Sequence, residues 1–353
     1  MKKILITGGA GFVGSSLALQ LKSDHPTSEV ICLDNLRRSG SELNLPRLKK
    51  AGIKFMHGDI RIPGDIKAAG FFDLMVECSA EPSALAGFDG SPDYLLSTNL
   101  TGTMHCLEAC RQNKAALIFL STSRVYPWQD IRELNYVETA TRLEIKKLQQ
   151  SSGVSFAGID ESFPLHGART LYGATKLASE LLIMEYADMY GLKAVINRCG
   201  VLTGPWQMGK VDQGFMVLWV ASHIFHRKLS YIGFGGSGKQ LRDLLHVRDL
   251  YSLLRLQLDN LNTHTGKVYN VGGGAAMSIS LMELTELVRE ITSIDIPISS
   301  VEETRPGDIP WYISDTHAVE AATGWKASIT PREIVVEIYD WLNKNSDQLQ
   351  HIL

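Results

Sequence analysis

The sequence predicts an α/β protein built on a doubly wound parallel sheet and followed by a smaller C-terminal lobe. Short apolar runs typical of buried strands alternate with stretches of helical periodicity through about the first 197 residues. The first of these strands leads through a glycine-rich turn into a helix. Past Arg198 the alternation weakens, and glycine, aromatic and basic residues mix, which indicates a second and smaller lobe.

Composition limits the partners that we expect. A chain of 353 residues with a net charge of −3 suits two lobes and offers no basic surface for nucleic acid. Five cysteines, mostly in predicted core or helix, favour reduced thiols and a cytoplasmic location. Cys106 and Cys110 lie one helical turn apart and, with no matching Cys/His pair, indicate helix packing rather than a metal site. No apolar run approaches the ~20 residues of a membrane span.

The first strand predicts a dinucleotide site. The run Lys3–Thr7 predicts the strand, and the turn after it has the spacing GxxGxxG, with glycines at Gly8, Gly11 and Gly14. The first glycine permits the tight turn, the second lets backbone approach a phosphate, and the third allows close packing of the helix. Phosphates are expected at the start of that helix, beside Phe12 and Val13, because unpaired N–H groups there favour anions.

The second predicted strand, Val30–Leu33, ends at Asp34, twenty residues after Gly14. A carboxylate at this place accepts hydrogen bonds from the adenosine ribose and repels the extra phosphate of NADP. The sequence therefore favours NAD, although Arg37 and Arg38 follow closely and weaken the preference.

The remaining predicted elements continue the alternation. Further strands are expected at Ile53–Arg61, with Asp59 and Ile60 in a turn beside the adenine, and at Phe72–Cys78, Leu117–Leu120 and Lys193–Asn197. Long helices are expected at Asp93–Gln112, Leu171–Tyr190, Met277–Thr292 and Pro331–Asn343. We therefore predict a Rossmann domain over residues 1–197 with a polar insertion, 127–170, that forms a lid or binding loop. Residues 198–353 are expected mainly to bind substrate, with part of 240–275 returning to the first domain.

A tyrosine and a lysine share one face of the predicted helix Leu171–Tyr190. Tyr172 and Lys176 are four residues apart, a common helical spacing. At roughly 5 Å and an effective dielectric of about 20, their attraction is about 3 kcal/mol, which lowers the phenol pKa by roughly two units. Thr122 stands at the end of the fifth strand, where parallel sheets bind ligands, although simple turn capping is the alternative interpretation.

Together these motifs resemble the extended short-chain dehydrogenase/reductase family, and within it the NAD-dependent nucleotide-sugar epimerases and dehydratases. The resemblance covers nearly the whole chain. Its motifs are Gly8-x-x-Gly11-x-x-Gly14, Asp34, Asp59-Ile60-Arg61, Asn99-x-x-Gly102-Thr103, Ser121-Thr122-x-x-Val125-Tyr126, Tyr172-x-x-x-Lys176, Arg242-Asp243-x-x-His246-Val247-x-Asp249 and Arg305-Pro306-Gly307-Asp308.

The resemblance implies an isomerase that keeps its NAD bound. Tyr172 would take a proton from a sugar hydroxyl while hydride passes to the nicotinamide, Lys176 would hold the nicotinamide ribose, and Thr122 would share the proton transfer. The implied cofactor contacts are Gly8, Gly11, Phe12, Val13, Gly14, Asp34, Asn35, Asp59, Ile60, Ser79, Ala80, Asn99, Tyr172 and Lys176. The implied substrate contacts are Glu81, Ser123, Arg124, Arg198, Gln213, Arg242 and Arg305, the last two on the diphosphate or its ribose. A homodimer or homotetramer built through long helices is also implied.

Two features narrow the subclass. Dehydratases of the family carry an acidic pair directly after the position of Thr122, where this chain has Ser123 and Arg124, and arginine donates no proton at neutral pH. Four stretches resemble the CDP-paratose (CDP-tyvelose) 2-epimerases: Asn135–Arg142, Gly158–Glu161, Asp212–Phe215 and Gly238–Asp243.

The resemblance leaves alternatives open. The segment Cys78–Pro82 replaces the usual His-Leu-Ala of the family, so that Glu81 is a possible second acid/base group. The competing interpretations are a UDP-sugar 4-epimerase, a nucleotide-sugar reductase and, from another class, a non-catalytic NAD-binding regulatory or scaffold protein.

Overall fold

The computed structural model describes residues 2–88, 90–210 and 213–353. The chain forms two compact units. The first unit comprises Met1–Val125, Leu171–Arg198 and Tyr251–Tyr269, and the second comprises Tyr126–Thr170, Cys199–Leu250 and Asn270–Leu353. The segment that the sequence predicts as an insertion in the first domain is therefore grouped with the second unit.

The strands and helices follow one another along the whole chain. The strands are β1 (Lys3–Thr7), β2 (Glu29–Asp34), β3 (Lys54–His57), β4 (Leu74–Glu77), β5 (Ala116–Thr122), β6 (Tyr136–Glu138), β7 (Leu143–Ile145), β8 (Val154–Ser155), β9 (Gly158–Ile159), β10 (Ala194–Cys199), β11 (Val201–Thr203), β12 (Leu229–Ile232), β13 (Leu241–His246), β14 (Lys267–Val271), β15 (Ser278–Ser280), β16 (Ile298–Val301) and β17 (Trp311–Tyr312). The α-helices are α1 (Phe12–Asp24), α2 (Leu45–Lys50), α3 (Pro63–Ala68), α4 (Asp93–Leu96), α5 (Thr103–Asn113), α6 (Trp128–Arg132), α7 (Leu171–Tyr190), α8 (Phe215–Ile224), α9 (Val247–Asp259), α10 (Leu261–His264), α11 (Leu281–Thr292), α12 (His317–Thr323), α13 (Pro331–Lys344) and α14 (Ser346–Leu349).

A seven-stranded parallel sheet organises the first unit. Its strand order is β14-β10-β5-β4-β1-β2-β3, so the chain runs outward from β1 in both directions, and the predicted doubly wound Rossmann sheet is confirmed. The strands read as continuous apolar runs because helices cover both faces of such a sheet. Leu5, Ile31 and Phe119 from three strands and Leu107 and Ile183 from α5 and α7 lie in one fully buried core.

The predicted helix Asp93–Gln112 is helical along its whole length, but it is not one regular α-helix. Between α4 and α5 the chain makes a π-helical turn, Ser97–Gly102. At its centre the Asn99 carbonyl accepts hydrogen bonds from the Thr103 and Ser179 hydroxyls, at 2.9 and 3.0 Å. Such wide turns are frequent at functional sites, and apolar periodicity does not distinguish them from regular helix.

The polar segment after β5 contains more structure than its sequence predicts. It forms α6 and two antiparallel pairs, β6 with β7 and β8 with β9. These strands have two or three residues each, too few for an alternating pattern to be recognised.

The second unit contains a four-stranded sheet. Three of its strands lie in the order β11-β13-β15, and the fourth, β17, also pairs with β13. β15 occupies the start of the predicted helix Met277–Thr292, so that α11 begins only at Leu281. Capping boxes fix the starts of α11 and α13, with Ser280 and Thr330 each accepting from the amide three residues on.

Two global properties accompany this fold. All five cysteines are free. Within the described ranges, no helix combines the length and apolar character needed to cross a membrane.

Candidate active site

The glycine turn between β1 and α1 leaves no room for larger side chains. Gly8 has φ +62°, and a Cβ on it would lie 2.8 Å from the backbone of Cys78. A Cβ on Gly14 would lie 2.2 Å from the Gly8 carbonyl oxygen, so this glycine lets α1 pack against the turn. Gly11 precedes Phe12 and Val13 as the N-cap, and no side chain caps the helix. The first amides of α1 therefore suit an anionic diphosphate, as NAD provides.

Gly9 is a residue of this turn that the sequence analysis did not single out. A Cβ on Gly9 would lie 2.5 Å from the Cys32 side chain, and its amide donates to the Leu33 carbonyl at 3.1 Å. The sequence signal for Gly9 was that two glycines stand side by side, whereas the GxxGxxG spacing requires only the first of them.

Asp34 lies at the end of β2, as predicted, and faces the turn. Its carboxylate accepts hydrogen bonds from the amides of Ala10, at 3.1 Å, and Leu36, at 2.8 Å. Burial raises the pKa of Asp34, and these backbone hydrogen bonds act in the opposite direction. Each carboxylate oxygen can accept more than one hydrogen bond, so the group remains able to accept from a ribose.

A polar cluster adjoins this strand end. Asn35 Nδ2 donates to Asp59 Oδ2 at 2.8 Å, and Arg61 forms an ion pair of 2.7 Å with the same carboxylate. Burial raises the pKa of Asp59, but the hydrogen bonds from Arg61 and Asn35 outweigh it and lower that pKa to about 2. The Tyr94 ring, which the sequence analysis missed, lies between two guanidinium groups, 3.8 Å from that of Arg37 and 4.7 Å from that of Arg61.

Ile60 and Asn99 are two further predicted cofactor contacts, and both side chains are buried. Ile60 is buried, and a Cβ on Gly102 would lie 2.5 Å from its side chain. The Asn99 amide clamps the backbone of Glu81, accepting from its N–H at 2.8 Å and donating to its carbonyl at 3.0 Å. The Asn99 side chain is therefore engaged with the backbone of Glu81, and the predicted contact of Asn99 with the cofactor stays a prediction.

Ser79, Ala80 and Glu81 follow β4 and are partly exposed. The backbone of Glu81 is held in place by its two hydrogen bonds with Asn99. Glu81 also accepts a hydrogen bond from the Ser83 amide at 3.3 Å, which places its carboxylate in a local turn.

The three candidate catalytic side chains all lie in the first unit. Thr122 ends β5, and its hydroxyl accepts from the Arg124 amide at 3.2 Å. Tyr172 is the second residue of α7 and is partly exposed, whereas Lys176, one turn on, is buried with Nζ 3.9 Å from the centre of the Phe119 ring. A buried ammonium on an aromatic face is a fixed positive charge, which is what the pairing with a phenol requires.

Ser123 and Arg124 form a 3₁₀ turn directly after β5, and this turn packs against α7. Both residues are partly exposed. No carboxylate stands in this turn.

Arg198 is placed differently from its prediction as a substrate contact. Its guanidinium binds the Glu180 carboxylate at 2.8 Å, and both side chains are buried. Ser121 donates a short hydrogen bond to the same carboxylate. This buried group joins β5, α7 and β10, so we exclude Arg198 from the proposed sugar site.

The candidate diphosphate residues lie in the second unit. Arg242 is held by Asp308 at 3.1 Å and by the carbonyls of Leu241 and Ile309, whereas Arg305 is partly exposed. Gln213 pairs through its backbone with Lys210. The neighbouring Val211 and Asp212 lie outside the described residues, so the predicted Asp212 motif is described only from Gln213 onward.

Arg132 is a third residue that could not be found from the sequence. Its guanidinium donates to the carbonyls of Asp308, at 2.7 Å, and Arg305, at 3.0 Å. It also lies 4.5 Å from the centre of the Trp128 ring. Arg132 therefore fixes the backbone of Arg305 and of Asp308, the residue whose carboxylate binds Arg242.

Comparisons with known proteins agree with this geometry. Residues 4–272 match the NAD dependent epimerase/dehydratase family. The chain is 32% identical over 347 residues to CDP-paratose 2-epimerase of Salmonella typhi, covering 96% of this chain and 98% of that protein. It is 27% identical over 352 residues to dTDP-glucose 4,6-dehydratase of Streptomyces niveus, with 97% and 93% covered. UDP-glucose 4-epimerase of Thermus thermophilus, solved in complex with NAD, superposes with a TM-score of 0.75 at 25% identity, with 97% and 99% covered.

Proposed function

Because the chain belongs to the NAD dependent epimerase/dehydratase family, we propose that it inverts carbon 2 of a CDP-linked sugar, in the manner of CDP-paratose 2-epimerase. It is an NAD-dependent isomerase of nucleotide sugars. The observation that carries the transient oxidation is the arrangement of Tyr172 at the start of α7, buried Lys176 one turn on, and Thr122 at the end of β5. The choice of carbon 2 and of a CDP-sugar is supported by the similarity to CDP-paratose 2-epimerase.

In this proposal Tyr172 transfers the proton, and Lys176 and Thr122 assist that transfer. The Tyr172 phenolate removes the proton from the hydroxyl on the carbon that is to be inverted. Lys176 holds a positive charge beside the phenol and thereby lowers the pKa of Tyr172, and Thr122 donates a hydrogen bond to the same sugar oxygen. NAD, when bound, would supply the acceptor and donor of the hydride, and return of the hydride to the opposite face of the ketone would invert the carbon. Tyr172 then gives the proton back, so the reaction has no net redox change.

Cofactor and substrate are assigned to different parts of the chain. We propose that the amides of Phe12 and Val13 hold the diphosphate of NAD, that Gly11, whose amide donates to the Gly8 carbonyl, lets the backbone come close to it, and that Asp34 holds its adenosine ribose. The partly exposed segment Ser79–Glu81 faces the nicotinamide end in this proposal. Asn35, Asp59 and Ile60 line the adenine end, Ile60 through its backbone because its side chain is buried.

The nucleotide diphosphate of the substrate, or its ribose, is assigned to Arg242 and Arg305, and Gln213 is proposed as a further substrate contact. Arginine suits two phosphates because its planar guanidinium offers paired donors. Ser123 and Arg124 are proposed to contact the sugar. Because neither can protonate a leaving hydroxyl at neutral pH, they support epimerisation over 4,6-dehydration.

A panel of CDP-, UDP-, GDP- and dTDP-sugars, followed by NMR, tests the proposal. We expect inversion at carbon 2 of a CDP-sugar, with NAD released from the denatured protein and no need for added cofactor. Inversion at carbon 4 of a UDP-sugar would replace the proposal with a 4-epimerase. A requirement for exchangeable NADPH would indicate a reductase, and NAD binding without turnover of any sugar would indicate a regulatory protein.

We further propose that the protein is a homodimer or homotetramer in the cytoplasm. Apolar side chains stand exposed along α7, at Leu171, Leu181 and Met184, and on α4 and α5, at Leu96 and Met104. A stripe of this kind on packed helices suits a second copy of the chain. The free cysteines support a reducing compartment.

A further inference from the structure

Glu77, the last residue of β4, is a buried carboxylate that the mechanism above does not use. The side chain is 1% exposed. In the parallel register of β4 and β5, Glu77 pairs with Phe119, so the two side chains project from the same face of the sheet. Phe119 belongs to the core beneath α5 and α7. Glu77 thus lies under the helix that carries Tyr172.

Hydrogen bonding to the Glu77 carboxylate is too weak to stabilise a negative charge there. Thr103 Oγ1 lies 2.6 Å from Glu77 Oε1, and it also lies 2.9 Å from the Asn99 carbonyl, so its one proton is shared between two acceptors. The other oxygen, Oε2, has no hydrogen-bond partner in the described part of the chain. A buried carboxylate with so little support either takes up a proton or is balanced by a cation nearby.

Lys176 is that cation. Its Nζ lies 3.9 Å from the centre of the Phe119 ring, the strand neighbour of Glu77. Burial raises the pKa of Glu77, and the charge of Lys176 acts against this rise. The titratable groups that face Glu77 from α5 are the thiols of Cys106 and Cys110, and burial raises the pKa of both, so they remain neutral. Thr7 of β1 and Phe119 of β5, the strand partners of Glu77, carry no charge.

We propose that Glu77 is a positioning residue for the reaction: its carboxylate is the counter-ion that keeps buried Lys176 an ammonium and sets the pH range in which Tyr172 works. The inference rests on the proposed function, since it concerns the same Tyr172–Lys176 pair. The fold alone does not require a carboxylate at this position, because buried ion pairs can often be replaced by apolar residues without loss of stability.

Glu77→Gln tests this role, because it keeps the shape and the bond from Thr103 but removes the charge. A negative charge raises the pKa of every neighbouring acid, so its loss lowers the pKa of both the Tyr172 phenol and the Lys176 ammonium. We expect both limbs of the pH profile of kcat to move to lower pH by about one unit in the holoenzyme. Glu77→Asp keeps the charge and should leave both limbs within about 0.3 units of the wild type.

A second readout does not depend on turnover. Because the Glu77 charge favours the cationic nicotinamide of NAD⁺ over neutral NADH, the variant Glu77→Gln should lower the ratio of NAD⁺ to NADH affinity several-fold, measured by calorimetry on the full chain after its bound nucleotide has been removed. Glu77→Met offers a second uncharged variant if Glu77→Gln does not fold. If no sugar of the panel reacts, the proposed function fails, but this ratio still tests Glu77. If the uncharged variants keep the wild-type limbs of the pH profile of kcat, or the wild-type ratio of NAD⁺ to NADH affinity, the counter-ion role is wrong.

Discussion

At the scale of single residues, the account depends on the phenol of Tyr172. Removing that oxygen in Tyr172→Phe should reduce turnover by at least about 10²-fold, since the proton acceptor is lost. NAD content should stay as in the wild type, because the cofactor is assigned to the glycine turn and to Asp34. Turnover by NMR and nucleotide release on denaturation measure the two effects.

Tyr190→Phe provides the matched control for that variant. Tyr190 ends the same helix, is 52% exposed, and lies far along α7 from Tyr172. It should leave both turnover and NAD content unchanged. Wild-type turnover in Tyr172→Phe would remove the phenol from the mechanism.

Arg132 gives a second prediction at this scale, because it was found only from the structure. Its guanidinium holds the carbonyls of Arg305 and Asp308, so Arg132→Gln should loosen the proposed diphosphate loop. We expect KM for the nucleotide sugar to rise about tenfold while kcat changes little, the pattern of lost uniform binding.

The control for Arg132→Gln is Arg332→Gln. Arg332 forms an exposed ion pair with Glu290 on the surface, and exposed pairs contribute little. Equal KM values in the two variants would show that Arg132 does not support substrate binding.

At the scale of elements, the packing of α1 on the glycine turn can be tested by a single methyl group. Gly14→Ala would place a Cβ 2.2 Å from the Gly8 carbonyl oxygen, and backbone on both sides leaves no flexible group to yield. We expect loss of bound NAD and a lower free energy of unfolding, by about 1–3 kcal/mol.

Gly64→Ala in α3 is the matched substitution. Nothing lies within 4 Å of a Cβ at that position, and the residue is helical and exposed. Alanine is the better helix former, so this variant should retain NAD and be as stable as the wild type or more so. Retention of NAD in both variants would contradict the close packing assigned to Gly14.

The elements also show what the sequence could and could not predict. Buried strands such as β1 and β5 and the long helix α7 follow from local apolar patterns, and the structure has them close to the expected places. The π-helical turn at Asn99 has no such signal, because it depends on hydroxyls from Thr103 and from Ser179, eighty residues away in sequence.

The same reasoning applies to the candidate site. The glycine turn, Asp34 and the Tyr172–Lys176 spacing are local, and one sequence suffices to propose them. Contacts between residues far apart in sequence cannot be proposed from one sequence. Examples are Arg132 with Asp308, 176 residues apart, and Glu77 with Thr103, 26 residues apart. The burial of Arg198 against Glu180 could likewise not be predicted, since an arginine at a strand end is equally compatible with a ligand.

At the scale of the whole molecule, pH should change stability through a buried histidine. Burial lowers the pKa of His246 to about 4, although the Glu337 carboxylate, 3.4 Å from its Nε2, favours the protonated ring and reduces the effect. In the folded state His246 therefore stays neutral where the unfolded chain, with its ordinary value of 6.5, binds a proton. Its contribution is therefore fully present above pH 6.5 and is lost as pH falls from 6.5 towards 4, by up to about 3 kcal/mol.

Urea unfolding between pH 7 and 4.5 measures this effect. His246→Gln cannot take up that proton, so its free energy of unfolding should fall less steeply with decreasing pH than that of the wild type. Parallel curves for the two proteins would show that His246 does not cause the loss.

The central claim is that Tyr172 and a resident NAD invert one carbon by removing and returning the same hydrogen. A CDP-sugar with deuterium at carbon 2, incubated in ordinary water and followed by NMR, tests it most directly. The account predicts an inverted product that keeps its deuterium, because the hydride returns to the carbon from which it came. Exchange of that deuterium with solvent would contradict transient oxidation at carbon 2 and would indicate deprotonation by a second base, for which Glu81 is the candidate.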